Sequence, residues 1–404
     1  MIENIPQMLV GEDLKKALSI LPNYDDNIRF SSKAQRLSEL NEIYNIYYPT
    51  PMSEEIYSKL YLAHLRAVQK KKNILVTKQQ YENRKAICNQ PYQGIIGGSD
   101  SFTIIGVSGI GKSTTISRCI SLISQENLTI NNGKIISFLV VQTPHNCSVK
   151  SLLLEILRKV DETLGTKYYN DALRARATLD MLIGSVSQIC LNHICVLVLD
   201  EVQNVVNSKG GNSLINSLIQ LINNSGISLC FVGVPECTEF FETNFQLARR
   251  SVGLYYSSLP FDEYFFDLCK TVFSHQYTKY KTEFSYEYAQ WLHSHSGGIT
   301  AVAIGLIYDA QEIAILSGNE QLSLNTLMQA YTQRMRTLHG FISPQNKPLT
   351  SPNNTTQKPL EISTTSDNFE SKYIAKLVLE AKNNQLDTLS YLRQFISIDV
   401  LPIL

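Results

Sequence analysis

The sequence predicts an α/β fold: a three-layer domain with a parallel sheet, a helical N-terminal extension, a small helical lid and a flexible C-terminal tail. Three observations predict it. Residues 106–113 read Gly-Val-Ser-Gly-Ile-Gly-Lys-Ser and fill the G-x-x-x-x-G-K-[ST] template at every fixed position. The apolar run Ile194–Leu199 ends in the acidic pair Asp200-Glu201. Between residues 91 and 275, short apolar runs alternate with amphipathic ones, as strands buried on both faces and covered by helices require.

The glycine-rich octapeptide lies between an apolar stretch, Phe102–Ile105, and a helix-like run, Thr114–Ile120. That strand–loop–helix context is what a phosphate-binding loop needs. Glycines let the backbone curl so that successive N–H groups converge, and the helix N-terminus adds positive partial charge. Gly106, Ser108, Gly109, Gly111, Lys112, Ser113 and Thr114 are therefore the candidate nucleotide-binding residues. Lys112 would reach the β- and γ-phosphates and the Ser113 hydroxyl would sit on Mg²⁺. ATP and Mg²⁺ are the expected cofactors.

The acidic pair follows Lys112 by 88 residues, room for two strand–helix units between. Asp200 would accept from water on Mg²⁺, making Ser113 and Asp200 the candidate metal ligands. Glu201 would orient or deprotonate the attacking water, so Glu201 and Lys112 are candidate catalytic residues.

Composition bounds the rest. At 404 residues the chain exceeds one typical domain, and with 44% hydrophobic and 18% charged residues it can build ordinary cores. Lys plus Arg and Asp plus Glu number 36 each, so any basic surface must be local. The eight cysteines include no C-x-x-C pair and are expected as buried, reduced thiols. The N-terminus lacks the basic and apolar regions of a signal peptide, and no apolar run approaches the about 18–20 residues of a membrane span. The expectation is a soluble, cytoplasmic protein with no membrane partner.

Along the chain, residues 1–90 read as a helical N-terminal region, with helical spacing over Glu12–Leu21 and Ser53–Gln69. Seven basic residues and one acid fall between Arg66 and Lys85, either a solvated helix end or a phosphate-backbone contact. The nucleotide-binding core is expected over 91–278, with strands at 101–106, 135–142, 194–199 and 228–233. Its helices are expected at 112–125, 149–164, 173–191 and 211–224. In the first of these Ile116, Cys119, Ile120 and Ile123 share one face. Residues 279–342 read as the helical lid, with helices near 299–316 and 323–337 after Ser296-Gly297-Gly298. From Ser343 to Asn368 there are four prolines and many Ser, Thr and Asn, so 343–404 is expected as a disordered linker and partner-binding tail. A short helix is possible over Glu370–Lys382, and the chain ends on an apolar segment.

A phosphate-loop α/β domain followed by a helical lid is the layout of AAA+ ATPases. A narrower resemblance lies in Leu139–Ser148, with its Pro144-His145 pair, then Leu152–Asp161, then Leu164-Gly165-Thr166-Lys167-Tyr168. Asp200-Glu201-Val202-Gln203, Phe231–Glu236 and Gln246–Arg250 add to it. This set is similar to the TnsC branch of the TnsC/TniB transposition regulators, over roughly residues 90–310. The resemblance implies an ATPase that assembles with itself as a ring or filament on double-stranded DNA when ATP is bound. Such a protein receives a signal from a TnsD/TniQ-type target selector and passes it to a TnsA/TnsB-type transposase, and hydrolysis resets the assembly. It also makes Arg249 or Arg250 the candidate trans-acting arginine. Lys150, Arg158, Lys167, Arg174 and Arg176 become candidate DNA contacts of the sequence-independent, salt-sensitive kind.

Two positions depart from the family pattern. Gly297-Gly298-Ile299-Thr300 lacks the arginine that many lids carry after the glycines, and Gly233-Val234-Pro235 stands where many relatives have a polar sensor. The alternatives are an origin- or loader-type AAA+ ATPase, or a DNA-independent STAND-like signalling NTPase. His145 reads as a structural hydrogen-bonder, and His293 and His295 as no metal site.

Overall fold

The computed structural model describes residues 5–72, 101–124, 129–130, 133–144, 148–206, 227–242 and 253–342, with isolated positions between 217 and 225 and between 373 and 392. In chain order the helices are α1 Gly11–Leu18, α2 Lys33–Glu39, α3 Pro51–Lys72, α4 Lys112–Ile123, α5 Val149–Leu164, α6 Tyr168–Arg174 and α7 Leu179–His193. They continue with α8 Gln203–Val206, α9 Thr238–Glu242, α10 Glu263–Ser274, α11 Tyr286–Ser296, α12 Thr300–Ser317 and α13 Leu324–Arg334. The strands are β1 Phe102–Gly106, β2 Thr129–Ile130, β3 Gly133–Lys134, β4 Ile136–Gln142, β5 Ile194–Asp200, β6 Ser228–Gly233 and β7 Leu254–Tyr256.

The chain forms two compact units that are interleaved in sequence. The first takes Met1–Leu18, Pro51–Val107 and Lys112–Tyr256; the second takes Ser19–Thr50, Ser108–Gly111 and Ser257–Leu404. This differs from the serial division read from the sequence, in which 1–90 is one region and the lid begins at 279. The apolar residues of the N-terminal region are shared out: Leu14, Leu18, Ile56 and Leu60 are buried in the first unit, Leu40 and Ile43 in the second.

In the first unit, five parallel strands make a sheet in the order β4-β5-β6-β1-β7. Every residue of β1 and β6 is buried, as are the six apolar residues of β5, so the continuous branched runs are strands covered on both faces. The four expected strands are found to within a residue at either end. Two elements were not legible: β7, three residues long, and the β2–β3 hairpin. Ile116, Cys119 and Ile123 of α4 are buried as their helical spacing requires. The helix expected over 173–191 is instead two, α6 and α7. The chain turns at Arg176, whose φ is +49°, and restarts at Thr178, whose hydroxyl caps α7 by accepting from the Met181 N–H. The helix expected over 211–224 lies largely outside the described residues, as does His145.

The Leu-Gly-Thr-x-Tyr stretch has a structural origin. Gly165, at φ +72°, ends α5 in the left-handed conformation that glycine adopts without a Cβ clash. The Asp161 carboxylate then accepts from Thr166 Oγ1 at 2.6 Å and from the Tyr168 and Tyr169 N–H groups at 2.9 Å each. One side chain thereby satisfies the first orphan amides of α6, whose own N-cap, Lys167, contributes none. Asp161→Ala is expected to lower the stability of this unit by about 2–3 kcal/mol, since it strands three donors. A urea titration checks this, and a loss below about 0.5 kcal/mol would remove the anchoring role.

Helix α3 starts with Pro51 at its first residue and buries Ile56, Tyr57, Leu60, Ala63, His64, Ala67 and Val68. The His64 ring stacks on Phe138 of β4, with ring centroids 5.1 Å apart. At its last turn Lys71 donates to the carbonyls of Cys190 and Leu191 at the C-terminal end of α7. That ammonium therefore caps a helix terminus, and burial holds it below the ordinary lysine range. Of the basic cluster read between Arg66 and Lys85, Lys71 is thus taken by the fold, and residues 73–85 lie outside the described set. The six described cysteines are free and buried.

In the second unit α10, α11 and α13 pack around α12, which buries Val302, Leu306, Ile307, Ala310, Ala314 and Ile315. This helix is long and apolar enough, with mean hydropathy 1.3, to pass as a membrane span, which the sequence reading did not register. Half of it is buried in this unit. Arg36 of α2 is 1% exposed and grips Glu320 with both terminal guanidinium nitrogens, at 2.6 and 2.8 Å, while donating to the Tyr277 carbonyl at 3.0 Å. The tail is not wholly given over to linker and partner-binding segment. Tyr373 lies against Phe266 and Tyr286, at centroid distances of 5.0 and 5.3 Å, and Leu377 and Ala381 are buried. Their four-residue spacing puts all three on one helix face, which is why they fold back together.

Candidate nucleotide-binding site

The site grows from the carboxyl ends of the parallel strands. β1 delivers the chain into residues 107–111, and α4 begins at Lys112. Gly109 and Gly111 have φ of +83° and +91°, conformations that a side chain resists, so the motif's glycines are required by the backbone path. Lys112 folds its ammonium back onto the carbonyls of Gly106, at 2.7 Å, and Val107, at 2.9 Å. Burial holds it below the ordinary lysine range, against the opposing pull of Asp200. Ser113 Oγ donates to Asp200 Oδ2 at 2.7 Å, which joins the start of α4 to the end of β5 across β6. The two halves of the motif pair meet through this bond, whose residues are 87 apart in sequence.

Three backbone bonds fix the floor. The Thr143 N–H donates to the Asp200 carbonyl, the Val202 N–H to the Val232 carbonyl and the Val107 N–H to the Tyr256 carbonyl. Glu201 sits at φ +57°, a left-handed conformation unusual for a non-glycine, with its N–H donating to Asp200 Oδ1 at 2.8 Å. Its carboxylate is exposed, and Oε2 accepts from the Asn204 amide at 3.3 Å. Gly233, at the end of β6, is tightly packed: a Cβ there would lie 2.8 Å from Cys237 Sγ.

The loop's tip, Ser108–Gly111, belongs to the second unit. There the Gly109 carbonyl accepts from Thr300 Oγ1 at 2.9 Å and the Ala301 N–H at 3.0 Å, at the start of α12. Thr300, where an arginine was missing, thus contacts the loop's backbone. Gly298 is obligatory: its Cβ would fall 2.1 Å from the Leu259 carbonyl oxygen.

The donor set fits a triphosphate with Mg²⁺. Lys112 is a half-buried cation at the mouth of a glycine loop, and beside Gly111 the space a Cβ would enter is open. A hydroxyl and a carboxylate 2.7 Å apart are the hard oxygen ligands that Mg²⁺ takes. Of the candidate residues, Gly106, Ser108, Gly109, Gly111, Lys112, Ser113 and Thr114 lie along this loop and the start of α4, and Asp200 lies at the end of β5. Glu201 is beside them; Arg249 and Arg250 lie outside the described residues.

The five basic candidates do not form one patch. Lys150 is exposed in the first turn of α5, on the side of the sheet's carboxyl ends. Lys167, Arg174 and Arg176, all exposed, flank α6 beyond the other end of α5, about 24 Å away along a 16-residue helix. Arg158 is ion-paired with Glu155 and Glu162 on its own helix. Sequence reading also passed over Asn204 and Thr143. An amide three residues beyond the glutamate was the available signal.

Sheet order, phosphate loop and acidic pair together define an AAA+ P-loop domain, a parallel five-stranded sheet covered by helices. Residues 96–241 match the protein family described as AAA domain. No curated protein matches the chain. Among solved structures the chain is similar to the ORC2 protein of Aeropyrum pernix in its ADPNP–ADP complexes, at 16% identity and TM-score 0.41, covering 58% of this chain and 62% of that one. It is similar to the ORC1 protein of the same organism in complex with DNA, at 14% identity and TM-score 0.41, covering 63% of each chain. Cdc6p of Pyrobaculum aerophilum aligns at 14% identity and TM-score 0.38, covering 61% of this chain and 63% of that one. The chain thus spans less than two thirds of the length of these structures.

Proposed function

We propose that this protein is an ATP-hydrolysing DNA transposition regulator of the TnsC type. The observation that carries the ATPase reading is the Ser113–Asp200 bond beside Lys112, with Glu201 next in sequence: one spot gathers phosphate-binding, metal-binding and water-orienting groups. Mg²⁺, held by Ser113 and Asp200, would neutralise charge developing on the phosphates. Lys112 exchanges its two carbonyl bonds for phosphate oxygens, and Glu201 orients the attacking water. Arg249 or Arg250 would serve a neighbouring copy. The transposition reading is supported by the Pro-His to Leu-Gly-Thr-x-Tyr stretch. In it, ATP drives assembly on double-stranded DNA, and the assembly links a TnsD/TniQ-type selector to a TnsA/TnsB-type transposase.

Lys150 supports the DNA half of the proposal. It stands in the first turn of α5, which holds no acid, so its charge adds to the positive end of that helix and favours phosphate. Lys167, Arg174 and Arg176 would form a second contact. The test is negative-stain microscopy with double-stranded DNA and ATP, ADP or a slowly hydrolysed analogue. Rings or filaments are expected only with ATP or the analogue and DNA together, and charge reversal at Lys150 is expected to weaken DNA binding while sparing nucleotide binding. Particles indifferent to DNA in every nucleotide state would leave only the phosphate-loop ATPase.

A further inference from the structure

We infer that Asn204 is a positioning residue for hydrolysis, holding the Glu201 carboxylate in place by tying it to the end of β4. The inference rests on the hydrolysis reading above. Asn204 is half-buried in the first turn of α8, and its side-chain amide has two N–H groups with two acceptors. One is the Thr143 carbonyl at 2.9 Å, just past the last residue of β4; the other is Glu201 Oε2 at 3.3 Å. The amide therefore bridges the glutamate to a strand end that is itself fixed, because the Thr143 N–H donates to the Asp200 carbonyl.

Glu201 needs such a tie. Its backbone is pinned in the left-handed region: the Asn204 N–H donates to its carbonyl and the neighbouring Val202 N–H donates to Val232. Its side chain, by contrast, is exposed and holds several rotatable bonds. A carboxylate that must orient one water gains from being held in a single rotamer, because small displacements at the reacting centre lower rates steeply. A neutral donor on Oε2 fixes that rotamer while Oε1 stays available to accept from the water. The end of the strand between the two motifs offers no side chain at Gly233, where a Cβ would already crowd Cys237 Sγ at 2.8 Å. Because the second acceptor is a backbone carbonyl, a shift of Thr143 moves Asn204 and with it Glu201. The end of β4 leads into α5, where Lys150 sits, so the bridge also gives that segment a path to the glutamate.

Steady-state phosphate release and fluorescent-ATP binding on the full chain, with and without double-stranded DNA, test this. Asn204→Ala is expected to lower kcat about tenfold to a hundredfold, with the nucleotide Kd changed less than about twofold and the melting temperature close to wild type. Asn204→Asp has the same shape but opposes one carboxylate with another, so it is expected to lose at least as much. A wild-type kcat in either variant would overturn the inference, as would parallel losses of kcat and nucleotide affinity. A wild type that releases no phosphate, indistinguishable from Glu201→Gln, would overturn the hydrolysis reading itself, and this inference with it.

Discussion

Lys112→Ala is expected to abolish nucleotide-driven behaviour while leaving the fold at least as stable as before. The two effects have opposite signs for one reason. Without phosphate, the half-buried Lys112 ammonium rests on two carbonyls, and its partial burial disfavours the charged form. Removing a half-buried charge held only by neutral carbonyls and a nearby carboxylate relieves that desolvation cost. With phosphate present, the same ammonium is the cation that the β- and γ-oxygens lack elsewhere in the loop. ATP turnover should fall at least about a hundredfold, in line with loss of a preorganised charge at a phosphoryl site. Fluorescent-ATP binding should fall with it. Calorimetry should show an unchanged or higher melting temperature. Turnover within a few-fold of wild type would contradict the assigned site, and a sharply lowered melting temperature would make the lysine structural.

Arg36→Ala should give the largest loss of stability, about 3–5 kcal/mol, as expected when one partner of a buried pair is removed and the other stays behind. The guanidinium makes three bonds with almost no exposure, and its partner Glu320 is itself mostly covered. This bridge ties α2 to the turn before α13, joining segments 284 residues apart in sequence. It also predicts a pH dependence. Hydrogen bonding from Arg36 holds the Glu320 carboxyl below the usual glutamate range, so its folded pKa is depressed. A depressed carboxylate contributes stability that is present above its unfolded value, near 4.3, and is lost as pH falls through the folded one. Denaturation of the wild type should therefore steepen below about pH 4.5. In Arg36→Ala that acid-dependent part should shrink, since the donor that depresses the carboxyl is gone. Equal acid sensitivity in both proteins would detach the pH effect from this pair.

Much of the first unit was legible because its signals are local. Continuous branched runs can be buried on both faces only as strands, and the template at 106–113 dictates its own geometry through Gly109 and Gly111. Helix α5 was bounded correctly at both ends because Ser148 and Gly165 mark them. The break between α6 and α7 was missed, because it depends on Arg176 taking a left-handed conformation that its residue type does not announce. The basic residues were legible as separate candidates, but not that α5 carries Lys150 and Lys167 to opposite ends, because sequence spacing does not give positions in space.

By itself, the sequence determined that this protein has a phosphate loop, an acidic pair at a buried strand end and the alternation of strands and helices that assembles them. Those properties follow from residue type and short-range periodicity. Tertiary structure alone decided that β6 lies between the two motif strands, so that Ser113 and Asp200 meet across it. It also decided that the N-terminal region is divided between two units, that Arg36 finds Glu320, and that an amide at Asn204 lies against Glu201. Each of these is a contact between segments, or the direction of a side chain off a turn. Such contacts depend on how the chain returns to itself, which no local pattern encodes.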